Sequence, residues 1–178
     1  MSSSKKTLKD FGYAFKDGKL RQLDEAGEVT DKPFKFEVSP TSSRAENQEN
    51  YEALGEVLNE YVYELLEENG MHRIYIPNNI PKEEATFIFS TKEDLKDIEK
   101  LMVIIHGSGV VRAGQWARSL IINDSINSGT VLPYIKKAQD AGYEVIVTNT
   151  NDNHRNGKRI EGNSSPEMHA DSVWETFV

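Results

Sequence analysis

In LMVIIHGSG (Leu101–Gly109) five apolar residues run directly into a histidine and a glycine-rich turn. A short run that is apolar at every position has no solvent-facing side, the pattern of a strand covered on both faces of a parallel sheet. YEVIVT (Tyr143–Thr148) repeats that pattern further along the chain. Between them VLPYIKKAQDA (131–141) has helical spacing and stops at Gly142. Strand, crossover containing a helix, and strand make a βαβ unit, so the sequence predicts two parallel strands in an α/β fold.

Upstream, Arg73–Ile76 and Thr86–Ser90 read as short strands joined by a 77–81 loop, with a helical turn following over Thr91–Ile98. Tyr51–Glu68 is the clearest helix. Tyr51, Leu54, Val57, Leu58, Tyr61, Val62, Leu65 and Leu66 recur at three- and four-residue spacing before Gly70. Earlier still, the Asp17-Gly18 pair between short alternating runs is a hairpin signal, because both central residues of a type I′ turn need positive φ. SPTSSRAENQEN (39–50) has the composition of a solvated linker, and residues 1–10 read as a disordered start. Ser164–Val178 reads as a final helix, with Ser164 and Glu167 as capping box and Pro166 in the first turn.

The 178 residues, 37% hydrophobic and 28% charged, suit one globular domain or most of a larger one. Lys plus Arg number 21 against 29 Asp plus Glu, a net charge of −8 that argues against a protein living mainly on phosphate contacts. The excess is local: residues 51–100 carry five basic and twelve acidic side chains, whereas residues 1–50 carry nine of each. Much of it lies on Glu52, Glu56, Glu60 and Glu64, an i, i+4 ladder that is either a solvated helix face or a docking face for a basic partner. The absence of cysteine excludes a disulfide framework, a thiolate zinc site and a cysteine nucleophile. The apolar runs are too short to span a bilayer, and the first ten residues lack the apolar stretch of a signal peptide. A reducing compartment, nucleus or cytoplasm, and no membrane partner are expected.

Chemistry centres on His106, Gly107, Ser108 and Gly109. A glycine-rich turn at the carboxyl end of a parallel strand can present free backbone N–H groups to a ligand or an oxyanion. The alternative is a tight turn that simply requires glycine. No G-x-S-x-G elbow occurs in the chain, and Ser108 lies inside the loop with no base predictably beside it. No catalytic residue is therefore assigned. His72, His154 and His169 lack zinc-ligand spacing and read as surface or helix-face residues, so neither a metal nor a cofactor is expected. Arg155, Lys158 and Arg159 form a basic loop after the second parallel strand, a candidate phosphate contact or a solvated loop.

KLMVIIHGSGVVRAGQWARSLIINDSINSGT (Lys100–Thr130), followed by GYEVIVTNTNDN (Gly142–Asn153), closely resembles the Argonaute-binding-protein-two domain family, in its animal cotranscriptional-regulator branch. FGYAFKDGKLRQL, YEALGEVLNEYVYELLEENG and SPEMHADSVWETFV fit the same branch, so the resemblance runs from about Phe11 onward. It implies an α/β-hydrolase-like fold with Gly107–Trp116 as its oxyanion-type loop. Relatives continue past this chain's last helix into a strand and serine elbow. The implied architecture is thus an incomplete α/β-hydrolase-like sheet, with 11–178 as the N-terminal portion of the domain and the nucleophile-elbow strand and everything after it missing. In that arrangement LMVII becomes an unprotected edge, and the chain is expected to be marginally stable or to depend on a partner. The function implied is a non-catalytic nuclear adaptor, with the cytoplasm as second compartment. It would act in small-RNA-directed heterochromatin and alternative splicing, binding Argonaute-type and chromatin proteins and reaching RNA only indirectly. Two alternatives stand beside it: a truncated product with little independent function, and a serine hydrolase-like fragment using HGSG as oxyanion hole.

Overall fold

The computed structural model describes residues 6–178. They fall into two compact units, one of Met1–Tyr61 with Ala117–Gly129 and one of Val62–Trp116 with Thr130–Val178. Part of the expected disordered start, residues 1–5, lies outside the described residues. The rest of it is ordered: Leu8–Phe11 forms a 3-10 turn, because Thr7 and Asp10 cap it reciprocally and Gly12 closes it in the left-handed region.

The first unit carries an antiparallel three-stranded sheet in the order β1 (Tyr13–Lys16), β2 (Lys19–Leu23), β3 (Val29–Pro33). The Asp17-Gly18 hairpin is present as expected, with φ of 51° and 72° at the two turn residues. The third strand carried no clear signal. Helix α1 (Arg44–Glu68) starts here, seven residues earlier than its apolar spacing indicates. Ser43 and Glu46 make that start: the Glu46 carboxylate accepts from the Ser43 N–H at 2.6 Å, and the Ser43 hydroxyl accepts from the Glu46 N–H at 3.2 Å. Only 39–43 of the expected linker is therefore loop. Helices α2 (Arg118–Asn123) and α3 (Ile126–Gly129) complete the unit. Leu20, Leu54, Leu58, Ile121 and Ile122 form its buried core. Against α1 lies a buried cation, Arg118, paired with Glu56 at 3.5 Å and seated over Gly55 so closely that a Cβ there would stand 2.2 Å from the guanidinium carbon.

The second unit is built on a mixed four-stranded sheet, ordered β4 (His72–Ile76), β5 (Thr86–Ser90), β7 (Glu144–Val147), β6 (Leu101–Ile104). β6 and β7 are parallel, as the βαβ reading expects, with α4 (Leu132–Asp140) in the crossover and Gly142 at φ 80° ending it. One face of the sheet packs Phe87, Phe89, Val145 and Val147 against Tyr63 and Leu66 of α1 and Ile135 of α4. The other packs Ile88 and Ile146 against Val173 of α5 (Pro166–Phe177). This is an α/β arrangement with helices on both sheet faces.

Several expectations give way here. β6 packs on both faces, with Met102 and Ile104 on one and Leu101 and Val103 on the other, and it is an edge among the described residues, as the unprotected-edge reading expects. Yet Leu101, Met102 and Val103 are only half-buried and Ile105 is 53% exposed. An apolar run reports that no side is polar, and it cannot report how many neighbours the strand has. Thr91–Ile98 is irregular rather than helical. Thr91 is instead tied to β7, where its hydroxyl accepts from the Val145 N–H and donates to Glu144. The last helix is capped by Ser165, whose hydroxyl accepts from the Met168 N–H, and not by Ser164 and Glu167. The basic loop is a small hairpin, β8 (His154–Arg155) and β9 (Lys158–Arg159), turning on Asn156-Gly157 with both φ values positive.

Candidate functional site

The carboxyl ends of β6 and β7 deliver two loops to one place. β6 leads into His106-Gly107-Ser108-Gly109, and β7 into Thr148-Asn149-Thr150-Asn151-Asp152-Asn153. The second loop is polar at every position, yet Thr148, Asn149, Thr150 and Asn153 are buried. Buried polar groups persist where their hydrogen bonds are met internally, and here they are. The Asn149 side-chain oxygen accepts from the Ala113 N–H at 2.8 Å, and its amide donates to the Tyr63 hydroxyl at 3.3 Å. Asn151 donates to the carbonyls of Gly107 and Val111, both at 3.0 Å, and so clamps the glycine-rich turn. Asp152 accepts from the Thr86 hydroxyl at 2.6 Å and forms an ion pair with Arg155.

Two histidines sit in this network. His169, from α5, is fully buried and accepts the Asn149 backbone N–H on Nε2 at 3.0 Å. That bond places its proton on Nδ1, which has no hydrogen-bond partner among the described residues. Burial drives its pKa down to about 4, against an upward pull from Asp152 and with a further downward push from His106. His106 is also buried and donates from Nδ1 to the Gly107 carbonyl at 2.9 Å. Its pKa is likewise lowered, chiefly by burial. Both imidazoles are thus held neutral as hydrogen-bonding parts of the loops. Of the two readings of His169, surface or helix-face residue, the surface one is incorrect: it lies on the buried face of α5, and sequence spacing shows its helix but not what that helix faces. His72 and His154 are exposed.

Gly107, Ser108 and Gly109 lie on the surface above His106. Their backbone N–H groups donate no hydrogen bond among the described residues, and Gly109 has φ of 107°, a conformation that favours glycine. Ser108 makes no hydrogen bond to either imidazole among the described residues. Ile105 and Val110, which flank the His106–Gly109 turn in sequence, are exposed apolar residues.

The other candidates are not members of the His106–Gly109 turn. Glu52 accepts from Gln48 at 2.8 Å, Glu56 is engaged by Arg118, Glu60 is half-buried, and Glu64 is exposed. The ladder is therefore not four equivalent free carboxylates. Arg155, Lys158 and Arg159 line a cavity of about 290 Å3, but Glu84 and Glu161 line it too, and Arg155 is committed to Asp152. Among the described residues no three His, Asp or Glu side chains gather as a metal site, and no helix is long and apolar enough to cross a membrane. The residues that sequence reading missed are Asn149, Asp152, Tyr63 and Thr86. The visible signal was the unbroken polar run directly after a buried strand.

The sequence model of the Arb2 domain matches residues 4–158. The cotranscriptional regulator ARB2A of Mus musculus is 50% identical over 151 residues, which cover 83% of this chain and 35% of the relative. The Homo sapiens protein of the same name is 48% identical over the same share of this chain. A FAM172 family protein homolog of Caenorhabditis elegans is 42% identical over 176 residues, 94% of this chain and 50% of the relative. The chain thus spans between a third and a half of the length of these relatives. No solved structure matches it.

Proposed function

This chain belongs to the Arb2 domain family, and from that premise we propose that it is a non-catalytic nuclear adaptor. In this reading it binds Argonaute-type and chromatin proteins and takes part in small-RNA-directed heterochromatin and cotranscriptional splicing, touching RNA through those proteins. The observation that carries the reading is the likeness over 83% of the chain to relatives named cotranscriptional regulators. The closed polar centre supports its non-catalytic part: His106 and His169 are spent on the loops that hold them, and neither is hydrogen-bonded to Ser108. A nucleophile needs a base within hydrogen-bond reach and a path to substrate.

The fold is read in the same frame. The sheet of the second unit corresponds to the first strands of an α/β-hydrolase-like sheet, residues 11–178 to the N-terminal portion of that domain, and the outer edge of β6 to the place where an elbow strand pairs. His106–Gly109 is then a vestigial or ligand-binding oxyanion-type loop. Glu52, Glu56 and Glu64 are the exposed members of the acidic ladder, Glu56 being already paired with Arg118, and Lys158 and Arg159 are the exposed candidates for a phosphate contact.

Affinity capture from nuclear extract tests the reading. Argonaute and chromatin proteins should be retained by the tagged chain after ribonuclease treatment, and RNA association should be lost when the purified chain is tested without those partners. Salt-sensitive RNA binding by the pure protein, or loss of all partners with ribonuclease, overturns it. Labelling by a fluorophosphonate that disappears in Ser108→Ala overturns the non-catalytic part.

A further inference from the structure

One end of the sheet in the second unit is β4, and its outer edge is open. β4 pairs with β5 over all five residues without a bulge, and it meets no further strand among the described residues. The alternation of the ladder fixes which of its backbone groups are unused. The Thr91 N–H donates to the Val145 carbonyl at 3.0 Å. Residues of β5 in phase with Thr91, such as Phe89, therefore turn their amides to β7, and Thr86, Ile88 and Ser90 turn theirs to β4. The partners of those three are Ile76, Ile74 and His72. Arg73 and Tyr75 are left with N–H and C=O directed out of the sheet.

The surface beside this edge is a groove of about 730 Å3 that follows β4 from His72 to Tyr75. Proteins usually guard an exposed edge with proline, a bulge or a charge on the strand. β4 has no proline or bulge, and its one fixed cation is turned away. The Arg73 guanidinium lies over the rings of Tyr63, Phe87 and Phe89 and is bound to Glu67 at 2.8 Å. The groove has charge of opposite sign at its two ends. Lys82 sits 5.1 Å over the Tyr75 ring at one end, and Glu93 meets the His72 imidazole at 3.4 Å at the other. Lys82 and Glu93 are both exposed.

We propose that β4 is a docking edge for an extended peptide of a partner protein, added as an antiparallel fifth strand with an acidic residue opposite Tyr75, an apolar one opposite Ile74 and a basic one opposite His72. Cross-strand neighbours share a sheet face. The residue opposite Tyr75 is on the face where Lys82 lies. Those opposite Ile74 and His72 are on the other face, where Ile74 is half-buried against the Ile88–Ile146 cluster and Glu93 offers a carboxylate. Main-chain bonds to Arg73 and Tyr75 supply affinity, and the charged ends supply register and direction. The motif reads acidic–apolar–any–basic from N to C terminus.

A fluorescein-labelled peptide carrying Asp-Val-Thr-Lys between threonines, titrated with the full chain and followed by anisotropy, tests this. Saturable binding is expected, weakened about threefold or more by Lys82→Glu or Glu93→Lys, the scale of an exposed ion pair. A peptide with lysine in place of its aspartate should recover affinity for Lys82→Glu. N-methylation of the peptide residue opposite Arg73 or Tyr75 should abolish binding, whereas N-methylation opposite Ile74 leaves it, because that N–H points away. On the protein, the amides of Arg73 and Tyr75 should move in NMR spectra and gain exchange protection. Absence of saturation, insensitivity to both charge reversals, equal tolerance of all three N-methyl peptides, or shifts that map to β6 instead would each overturn the proposal.

Discussion

Acidification should destabilise this protein through His169 before most carboxylates respond. The imidazole is fully buried, accepts the Asn149 N–H, and titrates at about 4 in the folded chain against 6.5 for the free group. A histidine whose folded pKa is depressed contributes stability that is complete above its unfolded pKa and is lost as pH falls toward the folded one. The window here runs from about 6.5 down to about 4. Between pH 7 and pH 5 the unfolded state takes up nearly one proton that the folded state refuses, a loss of about 2 kcal/mol at RT of 0.59 kcal/mol. His106, also depressed, acts in the same direction, so the effect of His169 needs its own control. In His169→Gln a neutral amide oxygen can accept the same Asn149 N–H without titrating. Urea unfolding of both proteins at the two pH values, followed by tryptophan fluorescence, should show the wild type losing about 2 kcal/mol more than the variant at unchanged m-value. Equal losses would refute the argument, as would an NMR titration placing His169 near 6.5.

Asp152 pulls the His169 pKa upward, so Asp152→Asn should lower it further while leaving Arg155 without its partner; histidine NMR and thermal unfolding check both effects. Asn149→Ala removes the acceptor for the buried Ala113 N–H, and denaturant unfolding should register about 2 kcal/mol for that orphaned donor. Gly55→Ala improves helix propensity by about 1 kcal/mol. It nevertheless should destabilise, because its Cβ would stand 2.2–2.5 Å from the buried Arg118 guanidinium. Arg118→Ala should cancel much of that penalty, so the double variant is predicted to be more stable than the sum of the singles, read by thermal denaturation.

Much of the fold was open to reading because its signals are local. Asp17-Gly18 specifies its own turn, the apolar spacing of Tyr51–Glu68 marks one helix face, and Tyr143–Thr148 is a strand that really is central in its sheet. What escaped depends on neighbours. The Ser43–Glu46 box was hidden in a polar stretch whose first helical turns face solvent, so no periodicity announced it. The run at Leu101–Ile105 reads the same whether one strand or two flank it, and the difference appears only in the half-burial of its first three residues. Thr91–Ile98 has helix-forming residues, yet the hydroxyl of Thr91 is claimed by Val145 and Glu144, and that long-range bond outweighs a short propensity.

The site shows the same division more sharply. The glycine-rich turn at His106–Gly109 was legible because glycine at positive φ leaves a mark in the sequence. The side chains that fix that turn were not, since asparagine after a strand ordinarily signals a loop. Here Asn149 and Asn151 hold backbone groups of Ala113, Gly107 and Val111, and His169 receives the backbone of Asn149 from a helix twenty residues on. A polar centre built this way has little freedom to rearrange. Charging either imidazole inserts a cation into a network already arranged around neutral rings, and moving either asparagine strands a backbone N–H or carbonyl. The hydrogen bonds that fix the loops thus engage Nδ1 of His106 and Nε2 of His169, and neither ring is bonded to Ser108 among the described residues.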